Sequence, residues 1–123
     1  MIKRMIVTGS LLILCACTSG VKLYSDPSIP IEVEAGDRFT IELDSNATTG
    51  YSWVFSQPLD ETILRLVNTD YISPKSGLTG AGGTQVWVFQ AMQPGTAVVS
   101  LQYERSWETE LPIQTASFIV NIR

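Results

Sequence analysis

The sequence predicts an all-β fold, an antiparallel β-sandwich of about seven strands. Two observations predict it: apolar residues recur with a period of about two rather than 3.6, and turn residues separate the apolar runs at intervals of roughly ten residues. The clearest run is Arg38 to Asp44, in which Phe39, Ile41 and Leu43 share one face. Short strands at this spacing are typical of a sandwich, in which two sheets bury their apolar faces against each other.

Each predicted strand is an apolar run bounded by turn residues. In chain order, the predicted strands are Ile31 to Glu34, Arg38 to Asp44, Tyr51 to Ser56, Ile63 to Tyr71, Gln85 to Met92, Ala97 to Arg105 and Gln114 to Ile122. The run from Ile63 to Tyr71 is the least regular, since Leu64, Leu66 and Val67 would also suit a short helical turn. The run from Gln85 to Met92 is apolar on both faces, which predicts a central strand.

The first residues carry a sorting signal rather than part of the fold. Lys3 and Arg4 are positive, and Ile6 to Leu14 is an apolar run too short to span a membrane, which takes roughly 20 residues. The sequence Leu14-Cys15-Ala16-Cys17 resembles a bacterial lipobox, which implies cleavage before Cys17 and attachment of lipid to it. The alternative is an ordinary signal peptide that leaves Cys17 unmodified.

The lipobox also divides the chain. We predict a lipoprotein signal peptide over residues 1–16, a tether rich in turn residues over residues 17–30, and one folded domain over residues 31–123. Because several acyl chains anchor a protein stably, we expect it in the cell envelope, attached to the membrane through Cys17. If the host has two membranes, Thr18 indicates the outer one by resemblance to known sorting rules, because an aspartate at this position favours inner-membrane retention.

The composition excludes several classes of function. Eight lysines and arginines stand against 12 aspartates and glutamates, for a net charge of −4, and no basic cluster is present. This balance argues against nucleic acid as a partner and against electrostatic docking on anionic lipid.

The sequence also lacks the side chains of the commonest catalytic machinery. It has no histidine, and its two cysteines, Cys15 and Cys17, lie at the predicted cleavage site. The domain is therefore without the commonest general base, a thiol nucleophile or a disulfide. A hydrolase built on acidic pairs such as Glu108 and Glu110 is disfavoured, because no apolar context raises their pKa. We expect a protein that is not an enzyme, needs no metal or cofactor and is a monomer.

Three connections of the predicted sandwich contain unusual residues. With antiparallel neighbours, the connections after the second, fourth and sixth strands emerge at the same end of the molecule. These loops are Asn46 to Tyr51, Gly80 to Gly83, and Arg105 to Trp107, whereas the opposite end receives plain turns such as Ala35 to Asp37 and Gln93 to Gly95. Because binding residues concentrate on loops held by a rigid scaffold, the three-loop end is the predicted binding edge.

The first of these loops is rich in hydroxyl groups. Asn46 can form an Asx-turn with its own backbone, and Gly50 permits a positive φ. Thr48 and Thr49 are then predicted to be exposed at the apex. The alternative is a soluble turn without a binding role.

The other two loops carry glycines and an aromatic residue. Gly80-Ala81-Gly82-Gly83 does not predict a phosphate site, because a phosphate loop needs a following helix and a lysine, and Thr84 to Phe89 is strand-like. Glycines that let another backbone approach closely suit it better. Trp53 and Trp87 lie within strands and are predicted to be core, whereas Trp107 lies in a polar loop and is predicted to be exposed. Tryptophan is enriched at interface hot spots. The alternative is that Trp107 folds back to cap the sandwich.

Together the three loops resemble those of the chagasin family, protein inhibitors of papain-like cysteine peptidases. That family has an immunoglobulin-like sandwich and three signature loops in this order: Asn-Pro-Thr-Thr-Gly-aromatic, Gly-rich, and Arg-Pro-aromatic. Each motif alone is weak, but three in order at matching strand junctions, over roughly residues 30–123, are fairly specific. The resemblance implies an inhibitor that occludes the peptidase cleft with its loops. The peptidase-binding residues that it implies are Asn46, Thr48, Thr49, Gly50, Tyr51, Gly80, Gly82, Gly83, Arg105 and Trp107.

The resemblance also implies a role for each loop. Thr48 would lie against the catalytic cysteine and histidine of the peptidase. Gly82 and Gly83 would line one wall of the cleft, and Arg105 and Trp107 the other.

Two departures from the family pattern bear on potency. Ala47 and Ser106 stand where the family usually has proline, which orders the free loop and is worth about 0.4–1 kcal/mol in comparable cases. The absence of the two prolines predicts weaker binding rather than a different function. The competing interpretation is an envelope binding module that uses the same loops for a peptide, a glycan or an assembly partner.

Overall fold

Alternating apolar residues form strands throughout the computed structural model, which describes residues 22–74, 82–107 and 111–123. No α-helix is present in these ranges, and one 3-10 turn spans Ala47–Thr49. The eight strands are β1 (Lys22–Tyr24), β2 (Ile31–Val33), β3 (Arg38–Ser45), β4 (Tyr51–Phe55), β5 (Leu64–Ile72), β6 (Gly83–Ala91), β7 (Gly95–Arg105) and β8 (Gln114–Ile122). The predicted all-β fold is confirmed.

The strands form two four-stranded sheets that pack face to face. Their orders are β1-β3-β6-β5 and β2-β8-β7-β4. All pairs among β3 to β8 are antiparallel, as predicted, but β1 pairs parallel with β3 and β2 pairs parallel with β8. Both sheets are therefore mixed, which corrects the expectation of a purely antiparallel sandwich. The path of the chain explains the pairing of β2. A tight turn leads β2 into β3 of the opposite sheet, so β2 runs toward that turn. Because β8 runs toward the same end of the sandwich, the two strands are parallel.

The first strand lies inside the segment predicted to be a tether. Lys22–Tyr24 pairs with β3, and the ring of Tyr24 meets Phe39 edge-on at 6.0 Å between centroids. The Lys22 ammonium lies 3.1 Å from the Asp37 carboxylate. The Glu34 backbone N–H, which donates to Asp37, and then Lys22 hold the pKa of that carboxyl below its ordinary value. The tether prediction is therefore wrong for these three residues. A strand this short has too few positions to show a period.

A β-bulge explains the ambiguous run before the second loop. In β5, Leu66 pairs with Phe89 and Asn68 pairs with the adjacent Val88, so Val67 is an extra residue without a pairing position. An inserted residue breaks the alternation of a strand. The apolar spacing of this run therefore imitates a helical turn, although the segment is a strand.

The core lies between the two sheets. Phe39 and Phe89 stack at 5.5 Å in the first sheet, and Phe118 is fully buried in the second. Trp53 and Trp87 are only 7% and 3% exposed, which confirms both as core residues. Burying each such side chain contributes about 1.5–3 kcal/mol. Apart from the bulged β5, the alternation seen in the sequence therefore indicates which face of a strand points inward.

The strand pairing brings the three predicted loops to one end of the sandwich. The pairs at that end are Ser45 with Gly83 and Ile72 with Thr84 in the first sheet, and Tyr51 with Arg105 and Tyr103 with Gln114 in the second. We call this end, which carries the described loop residues 46–51, 73–74, 82–83 and 105–107, the three-loop edge. We call the opposite end, formed by residues 34–37, 56–63 and 92–94, the turn end. Its turns are joined by hydrogen bonds, such as that from the Gly36 N–H to the Ala91 carbonyl (2.8 Å). The predicted grouping of the loops is confirmed.

Several predicted features lie outside the described residues. They include the signal peptide, Cys17, Gly80 and the acidic pair of Glu108 and Glu110. Within the described ranges, no helix is long and apolar enough to cross a membrane.

Candidate functional site: the three-loop edge

The first loop is a 3-10 turn capped at both ends. Asn46 is extended (φ −108°, ψ 98°), and its side-chain oxygen accepts hydrogen bonds from the Thr48 backbone N–H (3.1 Å) and hydroxyl (2.6 Å). This is the predicted Asx-turn, and it satisfies an N–H that the start of a helical turn leaves free. At the other end, Gly50 has φ +83°, the left-handed conformation that glycine adopts at least cost. The local sequence therefore sets the shape of this loop.

Both threonines of the loop are exposed, as predicted, and their hydroxyls also order it. The Thr49 hydroxyl donates to the Asn46 carbonyl (2.7 Å) and accepts from the Tyr51 N–H (3.3 Å). Each threonine thus presents its surface to solvent while its hydroxyl holds the turn. An ordered loop loses less conformational entropy on binding than a flexible one.

Arg105 connects the end of β7 to this first loop. Its Nε–H donates to the Thr49 carbonyl (3.0 Å), and its guanidinium lies 4.3 Å from the centroid of the Tyr51 ring. A cation over an aromatic face at this distance is attracted by the ring quadrupole. Sequence reasoning placed Arg105 and Tyr51 in the interface, and the structure gives both an additional part in fixing the apex.

Beneath Arg105, aromatic rings continue toward the core. Tyr103 stacks on Tyr51 at 5.3 Å and meets Trp53 at 5.0 Å, and its hydroxyl oxygen accepts the Asn46 backbone N–H (3.0 Å). The Trp53 indole N–H donates to the Asp44 carbonyl (2.9 Å), next to the start of the loop. The first loop therefore rests on side chains that are themselves packed.

Gln85 links the two sheets directly below the first loop. Its side-chain oxygen accepts hydrogen bonds from the Ser45 hydroxyl (2.8 Å) and the Trp53 N–H (2.8 Å), and its amide N–H donates to the Trp53 carbonyl (3.2 Å). These Trp53 groups point away from β7, at the edge of their sheet, where none of the described strands pairs with them. The amide of Gln85 thus takes the place of a neighbouring strand. Sequence reasoning missed this residue, although a polar side chain on the inward face of an apolar strand was the available signal.

Trp107 is exposed, as predicted, but it is not isolated. It is 68% exposed, and the end of its indole ring lies against Gly50. A Cβ added at Gly50 would come within 2.9 Å of Trp107 Cζ2 and closer still to the neighbouring ring carbon. The first and third loops therefore touch through an indole ring on a glycine, and Trp107 keeps most of its surface available.

The glycines of the second loop differ in their surroundings. Gly82 has open space around its Cα, which suits close approach of another backbone. Gly83 is buried, and a Cβ there would collide with the Tyr71 ring and the Ile72 carbonyl. Tyr71 crosses this position, and its hydroxyl donates to the Ser45 carbonyl (3.3 Å). Gly83 therefore has a packing role within the domain, whatever contact it makes with a partner.

Comparison with known proteins identifies the class to which this protein belongs. Residues 32–122 match the family described as Chagasin family peptidase inhibitor I42, which covers most of the chain. The protein belongs to the chagasin family of peptidase inhibitors, as the loop motifs predicted.

Individual relatives agree with this assignment. The chain is 36% identical over 80 residues to chagasin of Trypanosoma cruzi, an alignment that covers 63% of this chain and 73% of that protein. It is 27% identical over 94 residues to amoebiasin-2 of Entamoeba histolytica, covering 76% of each.

Solved structures agree on the fold. The cysteine protease inhibitor EhICP2 from Entamoeba histolytica superposes with a TM-score of 0.68 at 21% identity, covering 84% of this chain and 96% of that one. PbICP-C, solved in complex with falcipain-2, superposes with a TM-score of 0.55 at 18% identity, covering 89% of this chain and 96% of that one. At these identities the likeness is one of fold.

Proposed function

We propose that the domain inhibits papain-like cysteine peptidases by filling the active-site cleft with the three-loop edge, without chemistry of its own. The observation that carries this proposal is that some residues of the three-loop edge are exposed for contact while others hold its backbone in place. Thr48, Thr49 and Trp107 are exposed there, while Asn46, Arg105 and the side chains beneath them hold the backbone in place. A rigid exposed edge suits an inhibitor that fills a preformed cleft.

Each loop takes the part that the family resemblance implies. Thr48 lies against the catalytic cysteine and histidine of the peptidase, and Thr49 and Gly50 complete the plug. Gly80, Gly82 and Gly83 line one wall. Arg105 and Trp107 contact the other, where the exposed indole supplies most of the apolar contact.

The backbone geometry supports inhibition rather than cleavage. The Asn46, Ala47 and Thr49 carbonyls all accept hydrogen bonds within the domain, from Thr49, Gly50 and Arg105 respectively. A peptide bond held in a closed turn cannot extend through a cleft as a substrate does. The loop therefore lies across the cleft and stays intact.

Titration of papain with the mature protein tests this proposal. We expect competitive inhibition, no cleavage within residues 46–51 during prolonged incubation, and binding to a peptidase whose catalytic cysteine has been replaced. Steady cleavage of the first loop, or binding that requires the peptidase thiol, would contradict the wedge mechanism. A folded protein that leaves papain fully active would favour an envelope binding module instead.

The N-terminal sequence supports a second proposal, that the mature protein is anchored to a membrane of the cell envelope by lipid on Cys17. Its support is the positive Lys3 and Arg4, the short apolar run and the lipobox-like sequence that ends at Cys17. Cys17→Ser should release the protein into the soluble fraction. Cys15→Ser is the matched control, because it makes the same change in the predicted leader and should leave the protein in the membrane. Equal membrane association of Cys17→Ser and the parent would refute the anchor.

A further inference from the structure

The chain enters the domain at the turn end. In the parallel pair of β1 and β3, Lys22 is opposite Phe39, the second residue of β3, and Tyr24 is opposite Ile41. β3 then runs on to Ser45, where the first loop of the three-loop edge begins. The entry point and the binding loops therefore lie at opposite ends of the sandwich.

The connection between the proposed lipid anchor and this entry point is short. Only residues 18–21 separate Cys17 from Lys22. At 3.3–3.6 Å per residue, a fully extended chain from Cys17 to Lys22 reaches at most about 18 Å. The path along β3 from Phe39 to Ser45 is already about 20 Å at the rise of an antiparallel strand, and the loops extend further. With the three-loop edge on the bilayer, Lys22 would lie beyond the reach of its own tether.

The distribution of charge does not decide the orientation, because both ends of the domain carry carboxylates. Among the lysines and arginines of the described ranges, only Arg105 lies at the three-loop edge. The others, near the turn end, are Lys22, Arg38, Arg65 and Arg123. The half of the domain nearer the loops carries the carboxylates of Asp44, Asp70 and Glu104, and the turn end carries those of Glu34, Asp37, Asp60 and Glu61. The orientation therefore rests on the length of the tether and not on attraction or repulsion at the lipid surface.

We infer that the anchored protein sits with its turn end against the lipid surface and its three-loop edge pointing away from it. This inference rests on the proposed lipid on Cys17 but not on the identity of the peptidase. The short tether, rather than electrostatic attraction to a basic patch, holds the turn end at the bilayer. The three-loop edge then faces the aqueous space, where a soluble peptidase can dock without a steric clash with the membrane.

Energy transfer to the membrane tests the orientation. The mature lipidated protein has no free thiol once Cys17 is acylated, because Cys15 leaves with the signal peptide. Gln93→Cys at the turn end and Ser106→Cys at the three-loop edge, both exposed, can therefore each carry a single donor dye. The labelled proteins are reconstituted in phosphatidylcholine vesicles that contain a headgroup-linked acceptor. The strand length between the two sites predicts transfer at least about two-fold more efficient from position 93 than from position 106. Equal transfer, or stronger transfer from position 106, would overturn the orientation.

A longer tether provides the matched control. Inserting a Gly/Ser linker of about twelve residues after Thr18 should let the domain tumble, so the two transfer efficiencies should converge. If the linker leaves the two-fold difference unchanged, the tether does not set the orientation and the inference fails. Flotation with the vesicles separates this failure from failure of the anchor, because an unlipidated protein would not float at all. Inhibition of papain by the vesicle-bound parent protein, without dye, measures the inhibitory function independently.

Discussion

Replacing Gln85 tests whether one side chain links the two sheets beneath the three-loop edge. Gln85→Met keeps the length of the side chain but removes three hydrogen bonds, to the Ser45 hydroxyl and to the Trp53 N–H and carbonyl. A neutral hydrogen bond contributes about 1 kcal/mol net. Because Gln85 is only half-buried, water recovers part of this loss, and we expect destabilisation by about 2–3 kcal/mol.

Thermal unfolding measures the effect. For a domain of this size, 2–3 kcal/mol corresponds to a fall in Tm of about 10–20 °C. The control is Gln90→Met, the same substitution on the same strand, where the hydrogen bonds to Arg38 and Gly36 are exposed and the expected loss is under about 1 kcal/mol. Equal Tm values for the two variants would refute the assignment of Gln85 as the link between the sheets.

A charged isostere at the same position adds a dependence on pH. In Gln85→Glu, one carboxylate oxygen faces the Trp53 carbonyl, so only the protonated acid can donate the lost hydrogen bond. The folded state therefore raises the pKa of the new carboxyl above its unfolded value of about 4.3. The stability of this variant should be greatest below about pH 4 relative to the parent, and should fall as the pH rises through the raised pKa. A constant difference from pH 4 to pH 8 would contradict this reasoning.

The remaining predictions concern the binding edge and the turn end. Trp107→Ala should weaken papain inhibition by about 30-fold, equivalent to about 2 kcal/mol, with an unchanged Tm; undiminished inhibition would show that the indole only covers Gly50. Gly50→Ala should weaken inhibition by about ten-fold in the same titration, because an L residue at φ +83° costs about 1–2 kcal/mol and its Cβ displaces the indole. Ala47→Pro should tighten inhibition by about two- to five-fold, because residue 47 is the first of the 3-10 turn and Asn46 before it is already extended. Asp37→Asn should lower the free energy of unfolding at neutral pH in urea titrations. Since the pKa of Asp37 is lowered on folding, this difference should shrink as the pH falls from about 4, and a difference that grows there would be contrary to expectation.

Much of the fold could be predicted because alternation is a local property. A residue such as Phe39 or Val120 faces inward because every second side chain of a strand lies on the same face. Counting strands then placed the three loops together without any knowledge of which strands pair. The exposure of Trp107 followed in the same way from its polar neighbours in the loop.

The supporting side chains beneath the edge could not be predicted because their partners are distant in sequence. Gln85 bonds to Trp53, 32 residues away, and Arg105 bonds to Thr49, 56 residues away. No local pattern marks such pairs, because they form only when the sheets have packed. The family resemblance implied that Arg105 contacts the peptidase, and only the folded structure shows that it also holds the first loop.

The sequence by itself determined seven of the eight described strands, the grouping of the loops and the class of inhibitor, because period, turn residues and loop motifs are written in short stretches of chain. The tertiary structure alone decided the parallel pairing of β1 and β2 and the end at which the chain enters. Three-residue strands have no period of their own, and their place depends on which sheet edge remains open when the longer strands have packed. That choice separates the entry point at Lys22 from the three loops, because β1 runs in the same direction as β3.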